Sequence, residues 1–329
     1  MEKLSLGSFS IVGRLSEGPL GVLYEGTHGT THDRVVVRVF PAALTRDPGA
    51  LSRLQALQRA LSRLEPERSV AVQRPSGRDP AIPTVIECGR LPDGALYIAT
   101  EFVAGESLAV GLRRHSGLPL PNKALRLGRQ LSACLAVAHS SSIRHLGLRP
   151  DKVLLAHVAG SGDADHVRVL DLGLYDALGY RPRPADLPPH EQSYLAPEQQ
   201  REAGGVGPEA DVYALGVILY EMGSGGLPPG SRPRGASLPG AQQTSLMQML
   251  PSWLQPFAQL LERMLEPDPS ARPSMSHVAA TLQQLSALVP GGSASSLPPS
   301  SATPKMPTAL PASAVSRPSR CRSRRPSRP

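Results

Sequence analysis

The chain holds 329 residues, 40% hydrophobic, 19% charged and only 4% aromatic, enough for one large domain or two lobes around a sizeable core. Gly and Pro make up about a fifth of it, above ordinary usage but below the range of a wholly disordered chain, so a collagen, a coiled coil and a disulfide miniprotein are excluded. Of the net charge of +8, seven units sit in Pro290–Pro329 (Lys305 and six arginines, no acid), and a body of about +1 carries no electrostatic footprint of a nucleic-acid-binding domain.

The first hundred residues read as strands separated by turns. Ser10–Leu15 and Gly21–Gly26 flank a Gly/Pro turn, and Val35–Phe40 is a β-branched run. Leucines at 54, 57, 61 and 64 then mark one face of a helix. Val85–Gly89 and Ala95–Val103 are two further strands joined by the turn Pro92-Asp93-Gly94. From Pro121 the pattern turns helical, with a stripe at Leu127, Leu131, Leu135 and Ala138. Val167–Leu170 is a short strand. Asp211–Met222 is apolar nearly all round, the pattern of a helix inside a core. Ser252–Leu265 and Ser276–Leu288 are amphipathic helices, the last with its cap among Ser274, Met275 and Ser276. The remainder, 289–329, is Ser/Pro-rich and then Arg-rich, with little to bury, and is expected to be disordered. Such a tail either stays solvated or contacts nucleic acid or an acidic partner.

The longest strongly apolar run, near Ala214–Leu219, is far short of the ~20 residues that span a bilayer. The N-terminus lacks the pattern of a secretory signal. Cys88, Cys134 and Cys321 are odd in number and widely spaced, which reads as free thiols in a reducing cytoplasm.

Several short motifs then follow in a fixed order. The Gly-rich stretch Leu15–Tyr24, with Gly18 and Gly21, lets backbone N–H groups approach a phosphate or simply closes a hairpin. A strand with a lone basic residue, Arg38, comes next. It is followed by His145-Leu146-Gly147-Leu148-Arg149-Pro150-Asp151-Lys152, Asp171-Leu172-Gly173, Ala196-Pro197-Glu198, Asp211-Val212-Tyr213 and Asp268–Pro273. Together these motifs resemble the protein kinase fold, closest to the bacterial members of the eukaryotic-like Ser/Thr kinase family, over roughly Leu6–Leu288. The resemblance implies an α+β bilobal architecture: a small β-rich N-lobe over about 6–103, and a larger helical C-lobe over about 104–288.

It also implies roles for individual positions. Arg38 stands where the family has its phosphate-holding lysine. Leu57, between Gln55 and Gln58, stands where a helix glutamate would pair with that lysine. Gly147 replaces the catalytic aspartate, so no residue is assigned as the base. Lys152 replaces a magnesium-binding asparagine; its ammonium either neutralises nucleotide phosphate or points to solvent. Asp171 is the surviving metal ligand. Glu101 and Val103 flank the adenine-binding hinge after Thr100, and Glu106 lies where a ribose contact is made. Glu191 replaces a threonine that touches the catalytic loop. His145, Glu198, Asp211 and Arg272 match the family's architectural positions.

The scaffold positions persist while the reaction groups are replaced. The expected function is therefore a pseudokinase, a signalling scaffold or regulator that binds ATP weakly, has a doubtful need for Mg²⁺ and acts through a protein partner. The alternative is an atypical, slow Ser/Thr kinase that transfers the ATP γ-phosphate to protein.

Overall fold

The computed structural model describes residues 5–64, 81–114, 120–157, 165–201, 205–229, 231 and 252–287. One compact unit spans Met1–Gly292 and a second Ser293–Pro329. The second unit, and with it the expected tail, lies outside the described residues, as does Leu288.

Six antiparallel strands form the first sheet: β1 (Ser5–Leu6), β2 (Phe9–Gly18), β3 (Gly21–His28), β4 (Arg34–Val39), β5 (Val85–Arg90) and β6 (Leu96–Glu101), in spatial order β1-β2-β3-β4-β6-β5. Successive side chains of a strand point to opposite faces. On β4, Val35 and Val37 enter a cluster with Phe9, Tyr97 and Ala99. Val36 and Arg38 therefore face the other way, into a cleft. The β-branched run thus both builds the sheet and aims its one cation. Strand β6 ends at Glu101, two residues before the expected Val103, and Phe102 N–H makes the last bond of its ladder with β4, to the Arg34 carbonyl at 3.2 Å.

Two helices follow β4, the short α1 (Ala42–Thr45) and α2 (Ala50–Leu61). Helix α2 packs on edge strand β5. It stops at Leu61, where bonds from Arg63 N–H to the Ala60 carbonyl and from Leu64 N–H to the Leu61 carbonyl tighten the last turn. Leu64 is still buried, so the leucine stripe continues past the helix end.

A second, three-stranded sheet orders β7 (Glu106–Ser107), β8 (Val153–His157) and β9 (Asp165–Val169). Around it are α3 (Leu108–Arg114), α4 (Pro121–Ser140), the single turns α5 (Leu174–Ala177), α6 (Pro189–Gln192) and α7 (Pro197–Gln200), then α8 (Glu209–Ser224), α9 (Gln255–Met264) and α10 (Met275–Ala287). The expected stripe of α4, Leu127, Leu131, Leu135 and Ala138, is buried. Helix α8 is buried nearly all round, as its composition requires. A small β-rich lobe and a larger helical lobe thus frame one cleft.

Ser274 caps α10, its Oγ accepting from His277 N–H at 3.3 Å. Replacing it with alanine is expected to cost about 1 kcal/mol, read as a small loss in denaturant midpoint at unchanged slope.

Candidate functional site

The cleft between the lobes is a cavity of about 410 Å³. Leu15, Leu23 and Val36 face Leu154 and Val169 across it, and the chain at Glu101–Val103 forms one edge. Its polar end holds four charged side chains in contact. The Arg38 guanidinium lies 2.6 Å from Asp171 Oδ1, and the Lys152 ammonium lies 3.0 Å from Asp171 Oδ2 and 3.4 Å from Asp151. Lys152 is only 14% exposed. Of the two readings open for it, pointing into solvent is excluded. Burial alone would raise Asp171, but Arg38 and Lys152 outweigh it and hold this carboxyl well below the usual range. Burial would likewise lower Lys152, yet Asp171 and then Asp151 hold it above its ordinary value.

The loop beneath is fixed from α8. Asp211 accepts from the backbone N–H groups of His145 and Leu146, both at 2.7 Å, and contacts His139 Nε2 at 2.8 Å. His145 is fully buried below the loop, and burial pushes its imidazole down. Glu198 and Arg272 form a two-pronged pair at 2.7 and 2.8 Å; Arg272 also donates to the carbonyls of Glu266 and Glu209. The structure thus brings Asp211 to the loop backbone at His145 and joins Glu198 to Arg272. His139 and Gln199, whose amide donates to the Leu146 carbonyl at 2.8 Å, complete the frame and carried no sequence signal of their own.

The pairs at Asp171 and Asp211 link stability to acid. Both carboxyls titrate lower in the folded than in the unfolded chain. Their contribution is complete above the unfolded value, near pH ~4, and is lost as pH falls toward the native values. Thermal midpoints should fall gently from about pH 7 to 5, as the unfolded chain takes up the proton that burial denies His145, and steeply below about pH 4 as the two carboxylates protonate; a midpoint that stayed level to about pH 2 would contradict the linkage.

Gly147 is where the structure adds most. A Cβ there would lie 2.6 Å from Cζ of Tyr175 and 2.9 Å from its hydroxyl oxygen, and closer still to Cε2. The buried Tyr175 ring, carried by α5, occupies the space a side chain at 147 would need. It stacks on Tyr180 with centroids 5.8 Å apart, and the Tyr180 hydroxyl donates to Asp186 at 2.8 Å. Arg144 holds the same segment through Asp176, at 2.7 and 2.9 Å. The only sequence signal for Tyr175 was that a glycine at 147 leaves room for something.

Leu57 takes the place of a helix glutamate with an apolar contact. A Cβ on Gly173 would meet Leu57 Cδ1 at 2.5 Å and Ile143 Cγ2 at 3.0 Å, and φ is +80° at Gly173, so glycine is required twice over. Arg149 reaches Asp151 at 3.0 Å and Glu191 at 3.2 Å, so Glu191 does touch the loop, as a counter-ion.

The other expected site residues divide. Arg38, Glu101, Val103, Lys152 and Asp171 line the main cavity, and Gly18 lines an adjoining front cavity of about 670 Å³. Gly21 serves the backbone instead: its φ is +95°, and a Cβ would collide with the Val39 carbonyl oxygen. Glu106 does not line either cavity; it pairs with Arg114 at 2.6 Å. Toward a magnesium ion the site offers Asp171, whose Oδ1 lies 2.6 Å from Arg38 and whose Oδ2, 3.0 Å from Lys152, is buried without a hydrogen-bond partner, while a lysine stands at the second ligand position.

Comparison with known proteins agrees with this geometry. The protein kinase domain family profile matches residues 9–282. Serine/threonine-protein kinase Pkn1 of Myxococcus xanthus is 33% identical over 225 residues, 68% of this chain and 29% of that protein. Pkn2 of the same organism is 30% identical over 301 residues, 87% of this chain and 34% of that protein. This chain therefore spans about a third of the length of these relatives. The solved kinase domain of Mycobacterium tuberculosis PknI superposes with a TM-score of 0.61 at 21% identity, covering 88% of this chain and 99% of that one, a likeness of fold.

Proposed function

Because the chain belongs to the protein kinase domain family, we propose that it is a degenerate member, a pseudokinase working as a signalling scaffold or regulator with weak affinity for ATP and little use for Mg²⁺. The observation that carries this reading is the Tyr175 ring packed against Gly147. Phosphoryl transfer in this family uses a carboxylate at that position to accept the substrate hydroxyl proton. Here that space is filled by a buried aromatic ring. Loss of a general base alone lowers a rate by ~10²–10⁴. The pairing of Asp171 with Arg38 and Lys152 sets two cations in competition with a metal for the remaining metal ligand.

A protein partner receives or delivers the signal, and the cytoplasm is its place of work. Cys88 and Cys134 are buried and lie in no disulfide, which suits a reducing compartment. The basic tail of 289–329 adds a contact for an acidic partner or nucleic acid.

The second reading, a slow Ser/Thr kinase, is favoured by one observation: Asp151 and Glu191 bring carboxylates to the front cavity. Both are tied to Arg149. Radiolabelled phosphate transfer by the purified chain, with generic protein substrates, separates the two. Background incorporation in the wild type is expected. Turnover that disappears in Asp171→Ala, or in Asp151→Asn with Glu191→Gln, would establish the second reading.

A further inference from the structure

The back of the small lobe holds another cavity, of about 580 Å³, between the end of α2 and edge strand β5. Its volume falls in the range of small-molecule sites, ~300–1,000 Å³. The leucine stripe supplies one wall: Leu61 and Leu64 are its last two members, and Leu64 stays buried after the helix has ended. Ile82, on the approach to β5, and Val85, its first residue, supply the facing wall. Leu61, Ile82, Pro83 and Val85 also line the main cleft and so form a common wall between the two cavities.

The polar groups around this space are largely taken. The Gln58 amide donates to the Ile86 carbonyl at 3.0 Å, and its oxygen accepts from Cys88 Sγ at 3.2 Å. Ser62 Oγ donates to the Arg59 carbonyl at 2.9 Å. Thr84 N–H donates to Glu101 Oε1 at 3.2 Å, and the Thr84 carbonyl accepts from Glu101 N–H at 2.9 Å. Arg59 is the charged exception. It is exposed at the rim, and among the described residues its guanidinium has no ion-pair or hydrogen-bond partner. Aliphatic walls with one unpaired cation at the rim suit a molecule that joins a hydrocarbon chain to a single negative end.

We propose that this rear cavity binds an aliphatic carboxylate of medium chain length, its chain against Leu61, Leu64, Ile82 and Val85 and its carboxylate on Arg59. An exposed arginine gains little from a free carboxylate in water. Here burial of the chain supplies the affinity and holds the head group against the guanidinium. The proposal does not depend on whether the cleft transfers phosphate.

The test is isothermal titration of the full chain with sodium hexanoate, octanoate and decanoate, each below its micelle concentration, and with 1-octanol. The Kd should fall about tenfold with every two carbons added. Arg59→Gln should weaken octanoate about three- to tenfold and move octanol by less than about twofold. Because Arg59 is exposed, its replacement leaves the fold intact. Arg63→Gln removes the same charge at an exposed position outside the cavity wall and should move either ligand by less than about twofold. No binding at millimolar octanoate, or an affinity independent of chain length, would overturn the proposal. So would equal weakening of octanoate and octanol by Arg59→Gln. Chain-length dependence with no effect of Arg59→Gln would place the ligand in the main cleft and overturn it as well.

Discussion

Gly147→Asp should destabilise the fold by about 1–3 kcal/mol and leave phosphate transfer at background, although it restores the family's catalytic residue. The cause is steric. Any Cβ at 147 meets the Tyr175 ring within van der Waals distance, and that ring is held by stacking on Tyr180 and by the Arg144–Asp176 pair in the same segment. Tyr175→Ala alone should also destabilise, by about 3–5 kcal/mol, because it empties a fully buried site. The two losses should not add. In Gly147→Asp/Tyr175→Ala the carboxylate enters the space the ring leaves, and a coupling of about 1 kcal/mol is expected in denaturant titrations. A hundredfold gain in phosphate transfer from Gly147→Asp alone would mean that Tyr175 gives way freely.

Arg272→Ala should lower stability by about 3–5 kcal/mol, as much as Tyr175→Ala, or roughly a 6–15 °C fall in thermal midpoint. The Arg272 side chain is completely shielded from solvent. Its removal strands the Glu198 carboxylate and leaves the carbonyls of Glu266 and Glu209 without their donor. It also removes a cation from the face of Tyr213, 5.0 Å away. Glu198→Gln should cost less than Arg272→Ala, since a glutamine keeps the shape and one acceptor. Equal midpoints for the wild type and Arg272→Ala would show that the pair contributes nothing net.

Much of this architecture was legible because it depends on residue type at one position. The alternation in β4 aims Arg38 at the cleft regardless of distant contacts. Asp211 and Arg272 were readable through the family resemblance, which assigns those positions architectural roles. The unread features depend on where separate segments meet. No periodicity in the Pro-rich stretch after Asp171 says that Tyr175 will turn inward onto Gly147, 28 positions earlier in the chain. Whether Lys152 faced water or Asp171 turned on the left-handed backbone of Asp171, φ +60°, which brings its carboxylate to the ammonium. Glu106 sits in a short strand, and its fate was decided by Arg114 one helix later.

The contact between Leu57 and Gly173 has a consequence for how the small lobe is governed. Where the family ties this helix to the strand of Arg38 by opposite charges, that junction loosens with ionic strength and answers to protonation. An aliphatic junction is indifferent to both. Its grip follows the solvation of hydrocarbon, firming with salting-out ions and weakening on cooling. This contact of α2 therefore answers to temperature and solvent quality, beside the bonds that Arg53 donates to the Ala177 carbonyl and Gln58 to the Ile86 carbonyl.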